Sequence, residues 1–217
     1  MFILDKNNTI ANHFLYELRD KNIQVDRLRF RKNLERLGQI MAYEISKSLN
    51  YAERTIETPL GNSSLSLVKK QPVLISVMRA SIPFFQGFLN YFDAADSGFI
   101  GAYRKDEKAG SSEIEINYLY QAAPSIEGKE VIIIDPMLAT GKSFIKTIEN
   151  LLLTHGRPSK VHLACVIAAP EGIEYLRNQL TIPYSLWICS IDEKLNDKSF
   201  IIPGLGDAGD LCFGQKI

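Results

Sequence analysis

The stretch that decides the fold is Val131–Ser143, V-I-I-I-D-P-M-L-A-T-G-K-S. It begins with four β-branched apolar residues in a row, a pattern typical of a strand buried on both faces of a sheet. Asp135 and Pro136 end that run, because proline cannot donate to a strand ladder. A helix is predicted to open at Ser143, since apolar residues recur at helical spacing from Phe144 to Leu152.

A small-residue loop, Ala139–Gly141, joins the predicted strand to the predicted helix. A strand, a tight loop and a helix N-terminus together form an anion site, because the N–H groups of the loop point at the anion. Thr140 and Ser143 add hydroxyl donors. Hydrogen bonds to a charged group contribute about 1.5–3 kcal/mol each, against about 0.3–1 kcal/mol for the helix dipole. We therefore expect a phosphate site whose affinity comes mainly from the loop donors.

Known phosphate motifs offer two interpretations of this stretch, beside an ordinary strand-to-helix turn with an incidental aspartate. Gly141-Lys142-Ser143 is similar to the end of a Walker A loop, which would indicate a kinase-like enzyme. That motif needs a glycine where this chain has Pro136. The stretch instead resembles the phosphoribosyl pyrophosphate signature of phosphoribosyltransferases, and Asp135–Gly141 resembles the form found in uracil phosphoribosyltransferases.

Other parts of the chain carry the same resemblance. Phe200–Gly209, F-I-I-P-G-L-G-D-A-G, is similar to the uracil-binding segment of that family. Arg79 and Arg104 fall where the family places two basic residues. The resemblance runs from about Arg29 to Gly214. It implies an α/β, parallel-sheet phosphoribosyltransferase-type fold with N-terminal helices and a β-hairpin flap.

The alternation of strand and helix patterns independently favours a parallel α/β sheet. We expect residues 1–217 to form one domain, made of a helical arm at 1–55, a flap hairpin at 99–124, a base-binding hood at 190–217 and the sheet between them. The arm is predicted to hold two helices, one capped by Asn7–Thr9 and ending near Asp20, the other spanning Asp26–Asn50. Pro203–Asp210 is predicted to be neither helix nor strand, because three of its residues are glycine.

The resemblance also implies a reaction, the transfer of a phosphoribosyl group from phosphoribosyl pyrophosphate to uracil, giving uridine monophosphate and pyrophosphate. It assigns catalysis to Asp135, Asp207 and Arg104. It assigns the binding of phosphoribosyl pyrophosphate to Arg79, Arg104, Asp135, Pro136, Met137, Leu138, Ala139, Thr140, Gly141, Lys142, Ser143 and Asp207. It assigns uracil to Ile201, Gly206, Asp207 and Ala208. No side chain is expected to bind a metal directly, and Mg²⁺ is expected through the substrate, since phosphates and one or two carboxylates are its usual partners.

A glycine-rich loop is suited to reading a base, because its main chain can approach a flat ligand closely. Uracil has a carbonyl acceptor where cytosine has an amino donor. A fixed N–H aimed at that oxygen would therefore face a donor in cytosine, and sites of this kind reject the wrong ligand by about 10⁴-fold or more.

The chain departs from the family pattern at two positions. Lys142 stands where the family usually has a second glycine, and a left-handed conformation there would cost a lysine roughly 1–2 kcal/mol. The same lysine offers a cation to the phosphate. Ser81 likewise replaces a usual glycine after Arg79-Ala80.

The charge balance and composition of the chain argue against nucleic acid and membranes as binding partners. Lys plus Arg equals Asp plus Glu at 25 each, so there is no electrostatic footprint for nucleic acid or an acidic membrane. No apolar run approaches the roughly 20 residues of a membrane span, and Met1–Lys6 lacks the pattern of a signal peptide. Cys165, Cys189 and Cys212 have no metal-like spacing, and we expect them to be buried thiols in a reducing cytoplasm.

Two alternatives remain open from the sequence alone. One is a phosphoribosyltransferase of the same fold that acts on another base. The other is an RNA-binding pyrimidine regulator, favoured by the basic residues between Arg27 and Arg36 but opposed by the balanced total charge. The resemblance implies a homodimer or homotetramer, with the N-terminal helices against a partner subunit, and leaves room for a GTP effector. His162, inside a predicted strand, is expected to be a core histidine rather than a catalyst.

Overall fold

The computed structural model describes residues 1–104 and 116–216. The strands are β1 (Phe2–Ile3), β2 (Tyr51–Thr58), β3 (Gly61–Val68), β4 (Val73–Met78), β5 (Ser97–Arg104), β6 (Ile116–Ala122), β7 (Glu130–Ile134), β8 (Met137–Leu138), β9 (Lys160–Ala168), β10 (Tyr184–Ile191), β11 (Lys194–Leu195) and β12 (Ile201–Ile202). The helices are α1 (Ala11–Arg19), α2 (Arg27–Ser46), α3 (Ile82–Leu89), α4 (Lys142–Thr154), α5 (Pro170–Gln179) and α6 (Ala208–Phe213). A 3-10 turn covers Leu4–Lys6.

The central sheet has the strand order β1-β10-β9-β7-β4-β5-β6, and β8 pairs with β9 at its end. Every neighbouring pair in it is parallel except β5 and β6, which are antiparallel. Because β7 and β4 are parallel neighbours, the loops that follow them leave the same edge of the sheet. The parallel α/β architecture predicted from the sequence is confirmed.

The sheet is covered on both faces, which explains the uninterrupted apolar run in β7. Ile132 and Ile134 pack with α1, α2, α3 and α6 on one face. Val131 and Ile133 pack with α4 and α5 on the other. All four residues have no accessible surface, so each residue of this run has a buried side chain whichever way it points.

The N-terminal arm differs from the prediction in two details, although α2 begins at a side-chain cap. The Asp26 carboxylate accepts from the backbone N–H of Arg29 at 3.0 Å and begins α2. The prediction that α2 reaches Asn50 is wrong, because the helix ends at Ser46 and β2 starts at Tyr51. The arm region also supplies β1, which pairs with β10 and which the sequence did not predict.

Two antiparallel hairpins lie along the chain. β2 and β3 pair in register from Tyr51 with Val68 to Thr58 with Gly61, and nearly all their residues are exposed. β5 and β6 form the base of the flap hairpin expected at 99–124. The part of that flap at 105–115 lies outside the described residues. No helix in the two described ranges is long and apolar enough to cross a membrane.

Candidate active site

The expected phosphate loop follows β7 and is held by main-chain bonds. The carbonyl oxygen of Pro136 accepts from the N–H groups of Val166 and Ile167 at 3.0 and 3.1 Å. Met137 and Leu138 then pair with the end of β9 as β8. The N–H of Met137 donates to Asp135 Oδ1 at 3.1 Å. The first half of the loop is therefore an extension of the sheet.

The second half of the loop is packed tightly against α5. Gly141 has a φ of +77° and directly precedes α4, a conformation that favours glycine. A Cβ on Gly172 in α5 would overlap the carbonyl oxygen of Ala139. The loop between Ala139 and Gly141 therefore has little room to move, and the first N–H groups of α4, which have no intrahelical partner, open beside it.

Lys142 lies in the first turn of α4 and needs no unusual backbone. Ser199 is the one non-glycine residue with a positive φ in the described ranges. The strain penalty considered for Lys142 therefore does not arise. Ser81, the other departure, is fully buried, and its hydroxyl bonds the hydroxyl of Ser76 in β4 at 2.7 Å.

Arg79 follows β4 and reaches the hood. Its Nη2 donates to Asp210 Oδ1 at 2.7 Å and to the carbonyl oxygen of Gly214 at 3.0 Å. Its Nε is buried and has no hydrogen-bond partner among the described residues. Since β4 and β7 are neighbours, Arg79 and Asp135 lie at the ends of adjacent strands.

The hood carries the residues assigned to uracil. Asp207 caps α6, because its Oδ1 accepts from the N–H of Asp210 at 2.9 Å. The prediction that Pro203–Asp210 contains no helix is therefore wrong at its end, where α6 begins at Ala208. An aspartate at the cap allows a helix to start even in a glycine-rich segment.

A cleft of about 390 Å³ opens beside this loop, and Gly206 and Asp207 line it. Ile201 and Ala208 are buried behind the loop. Lys216 Nζ lies 3.6 Å from Asp207 Oδ2. The remaining lining comes from Gln24, Arg27, Leu205, Asp210, Leu211 and Gln215. The cleft thus brings Pro203–Asp210, which we call the base loop because uracil is expected to bind there, together with the turn between α1 and α2. The sequence did not predict this proximity.

Arg104 ends β5, where its backbone pairs with Ile116. Its side chain lies outside what the structure describes. The catalytic and donor-binding roles expected of it therefore stay predictions.

The hood also depends on residues that the sequence analysis missed. Arg19 at the end of α1 makes an ion pair of 2.6 Å with Asp192, which follows β10. Both residues hydrogen-bond the main chain of Gly204. No sequence signal links positions so far apart, because neither residue belongs to a recognisable motif.

Other expectations concern residues away from the site. His162 is a buried sheet histidine, as predicted, and it bonds Glu130 at 2.9 Å and the indole N–H of Trp187 at 3.0 Å. Burial lowers the pKa of His162, although the hydrogen bond to Glu130 opposes that shift. The three cysteines are free and buried, as expected. Burial raises the pKa of Cys212 to about 12, which keeps this thiol protonated.

The basic side chains of α2 are mostly paired within the chain. Arg29 binds Glu17 through two hydrogen bonds of 2.8 Å. Lys32 pairs with Glu35, and Arg31 donates to the carbonyl oxygen of Cys212. Arg36 donates to Asn33 and lies over the ring of Phe14. Such a face is not the unpaired cationic surface that an RNA-binding regulator would need.

A mostly parallel sheet covered on both faces, with a tight strand-to-helix loop after β7 and a glycine-rich segment before α6, is typical of phosphoribosyltransferases. The family model described as uracil phosphoribosyltransferase matches residues 6–215, and the chain belongs to that family. A uracil phosphoribosyltransferase of Porphyromonas gingivalis is 44% identical over 99% of this chain and 98% of its own length. One of Pyrococcus furiosus is 39% identical over 94% of this chain and 85% of its own. The solved structure of a protein from Aquifex aeolicus superposes with a TM-score of 0.85 at 30% identity, covering 100% of both chains.

Proposed function

We propose that this protein transfers the phosphoribosyl group of phosphoribosyl pyrophosphate to N1 of uracil, releasing pyrophosphate and forming uridine monophosphate. The observation that carries the proposal is membership of the uracil phosphoribosyltransferase family over residues 6–215. The geometry supports it, since β7 and β4 deliver Asp135 and Arg79 to one edge of the sheet and Arg79 contacts the hood.

Ala139–Ser143, the second half of the phosphate loop (residues 136–143), binds the 5′-phosphate of the donor through its hydroxyl groups and the N–H groups at the start of α4. Asp135 binds the ribose hydroxyls and faces the positive charge that develops as the bond at the anomeric carbon breaks. Arg79 and Arg104 neutralise the leaving pyrophosphate. The buried Nε of Arg79 has no hydrogen-bond partner among the described residues, and a bound anion would supply one.

The hood binds the base. Gly206 and Ala208 present main-chain groups to the uracil carbonyls, and Ile201 packs behind the ring. Asp207 lines the cleft, and its Oδ2, which does not cap α6 and pairs only loosely with Lys216 at 3.6 Å, orients the substrate or assists loss of the N1 proton.

Mg²⁺ is part of the proposal as a companion of the pyrophosphate. The described ranges contain no group of three or more His, Cys, Asp or Glu side chains that could hold a metal ion. Separate carboxylates such as Asp207 fit an ion that is held mainly by phosphate oxygens. When bound, Mg²⁺ supplies charge neutralisation of the leaving group.

The proposal extends to the oligomeric state, the compartment and an effector. Exposed apolar side chains on β3 and in the turn before it, among them Leu60 and Leu65, favour a homodimer or homotetramer, since a subunit contact would remove their apolar surface from water. The three free thiols favour a reducing cytoplasm. A GTP effector rests on the family resemblance. Light scattering tests the oligomer, and rates measured with and without GTP test the effector.

The decisive assay follows labelled uracil in the presence of phosphoribosyl pyrophosphate and Mg²⁺, with cytosine and hypoxanthine in parallel. The proposal predicts uridine monophosphate from uracil and no nucleotide from the other two bases. Omission of Mg²⁺ should stop the reaction. Product from hypoxanthine or cytosine but not from uracil would contradict the proposal and favour an enzyme for another base.

A further inference from the structure

An arginine and an aspartate from opposite ends of the chain meet beneath the base loop. Arg19 Nη2 donates to Asp192 Oδ1 at 2.6 Å, and Nη1 donates to Asp192 Oδ2 at 2.9 Å. This is the two-pronged geometry in which arginine binds a carboxylate best. The Asp192 side chain is only 2% exposed, and Nη2 also donates to the hydroxyl of Ser190 at 3.0 Å. Both charges are therefore held in a fixed arrangement.

The Arg19–Asp192 pair binds both main-chain polar groups of Gly204. Asp192 Oδ2 accepts from the N–H of Gly204 at 2.7 Å. Arg19 Nη1 donates to the carbonyl oxygen of the same residue at 3.1 Å. Both polar groups of one buried residue are thus satisfied by a single ion pair. We call Arg19, Asp192 and Gly204 the loop clamp.

Gly204 is placed so that this grip fixes the loop. It has a φ of +66°, and a Cβ there would overlap the carbonyl oxygen of Ile201. Gly206 and Asp207 follow two and three residues later and line the cleft. A shift of Gly204 would therefore move the main-chain groups that are expected to meet the base.

A contribution to the stability of the fold does not by itself explain why a buried Arg19–Asp192 pair is present. Desolvating two charges offsets most of their attraction, and buried ion pairs can often be replaced by apolar side chains without loss. A surface pair of the same type lies nearby, between Arg29 and Glu17, and its bonds connect α1 with α2 rather than with a loop. What distinguishes the Arg19–Asp192 pair is its two bonds to the main chain of the base loop.

We infer that Arg19 and Asp192 are positioning residues for base recognition, which hold the N–H and C=O groups of the base loop at the spacing that distinguishes uracil from cytosine. This inference rests on the proposed function and extends it. A recognising N–H rejects cytosine only while it stays fixed, because a loop that can move is able to turn a carbonyl toward the amino group instead.

The test compares Arg19→Lys with Arg29→Lys. Lysine keeps the charge but lacks the planar fork, so it cannot bind both carboxylate oxygens, Ser190 and Gly204 together. We expect Arg19→Lys to raise KM for uracil about tenfold, equal to about 1.4 kcal/mol. Arg19→Lys should also form nucleotide from cytosine, which the wild type is expected not to do, while KM for phosphoribosyl pyrophosphate stays unchanged. Arg29→Lys breaks an equally bidentate but exposed pair, and it should change none of these values.

Asp192→Asn provides a second variant, and hydrogen exchange a second measurement. In the free enzyme, faster exchange confined to residues 200–213 is expected in both clamp variants and not in Arg29→Lys. Equal KM values for uracil in Arg19→Lys and Arg29→Lys, or a parallel rise in both substrates' KM values, would overturn the inference. A wild-type enzyme that makes no uridine monophosphate would overturn the proposed function instead.

Discussion

The phosphate loop and the base loop lie beside neighbouring parts of the sheet, yet different bonds hold them. Main-chain hydrogen bonds hold the phosphate loop against the end of β9. The carbonyl oxygen of Pro136 accepts from Val166 and Ile167, and that of Leu138 accepts from Ala169, the residue after β9. The base loop is held by side chains, through Asp192 at Gly204 and through Asp207 at the start of α6. The phosphate loop is thus bonded to the sheet through its main chain, whereas the base loop is held by the side chain of Asp192 and by the capping side chain of Asp207.

This difference has consequences for recognition. In the proposed reaction the phosphoribosyl donor carries the same 5′-phosphate whichever base is offered, so a loop built into the sheet suits its binding. The base must be distinguished from close relatives, and its loop can be tuned through side chains that never touch the ligand. Substitutions that disturb the support of the phosphate loop should therefore weaken binding of phosphoribosyl pyrophosphate, and those that disturb the support of the base loop should weaken binding of uracil.

The largest effect is expected from Asp207→Asn in the base loop. Asparagine caps a helix as well as aspartate does, so the melting temperature should change little. Loss of the charge should lower kcat about 100-fold or more if Asp207 assists proton transfer. Asp26→Asn makes the same exchange at the cap of α2 and serves as the control. Unchanged turnover at saturating substrates would end the catalytic assignment of Asp207.

Gly172→Ala in α5 should displace the phosphate loop, which packs against this glycine. The added methyl group would overlap the Ala139 carbonyl and push the loop out of place. Overpacking of this kind costs about 1–3 kcal/mol, so affinity for phosphoribosyl pyrophosphate should fall about 10- to 100-fold in calorimetry. Gly38→Ala creates a similar overlap with Phe84 between α2 and α3 and should destabilise without this loss. Equal affinity losses in the two variants would show that only stability matters.

Asp210→Asn should loosen Arg79, which connects the end of β4 with the hood. Asparagine keeps an acceptor oxygen but removes the charge from a 2.7 Å ion pair. Hydrogen bonds to charged groups exceed neutral ones by about 1 kcal/mol, so KM for phosphoribosyl pyrophosphate should rise about fivefold. Asp96→Asn, which removes the exposed pair with Lys129, is the control. A rise in KM for uracil alone would place Arg79 with the base rather than the pyrophosphate.

Lys142→Gly should have the smallest effect. The lysine lies at the N-terminus of α4 without strain, so glycine relieves nothing there. Removing its cation should weaken binding of the donor by up to about fivefold, as expected for an exposed charge pair that contributes about 0.2–1 kcal/mol. Lys142→Ala controls for the lower helix propensity of glycine. Tighter binding in Lys142→Gly would contradict a helpful cation.

The same contrast explains what the sequence could predict. β7 and the phosphate loop were predictable because the strand, the proline and the small residues stand side by side, and local sequence determines them. The clamp was not, because Arg19 and Asp192 meet only in the folded chain. The start of α6 was missed because glycine content outweighed the capping aspartate, Asp207. The strain considered at Lys142 depended on one backbone angle, which sequence does not reveal.

The most direct measurement determines both KM values in Gly172→Ala and Arg19→Lys beside the wild type. We predict a crossed result, with KM for phosphoribosyl pyrophosphate raised only in Gly172→Ala and KM for uracil raised only in Arg19→Lys. A rise of both values in both variants would contradict it, because the two loops would then act as one unit rather than as separately supported sites.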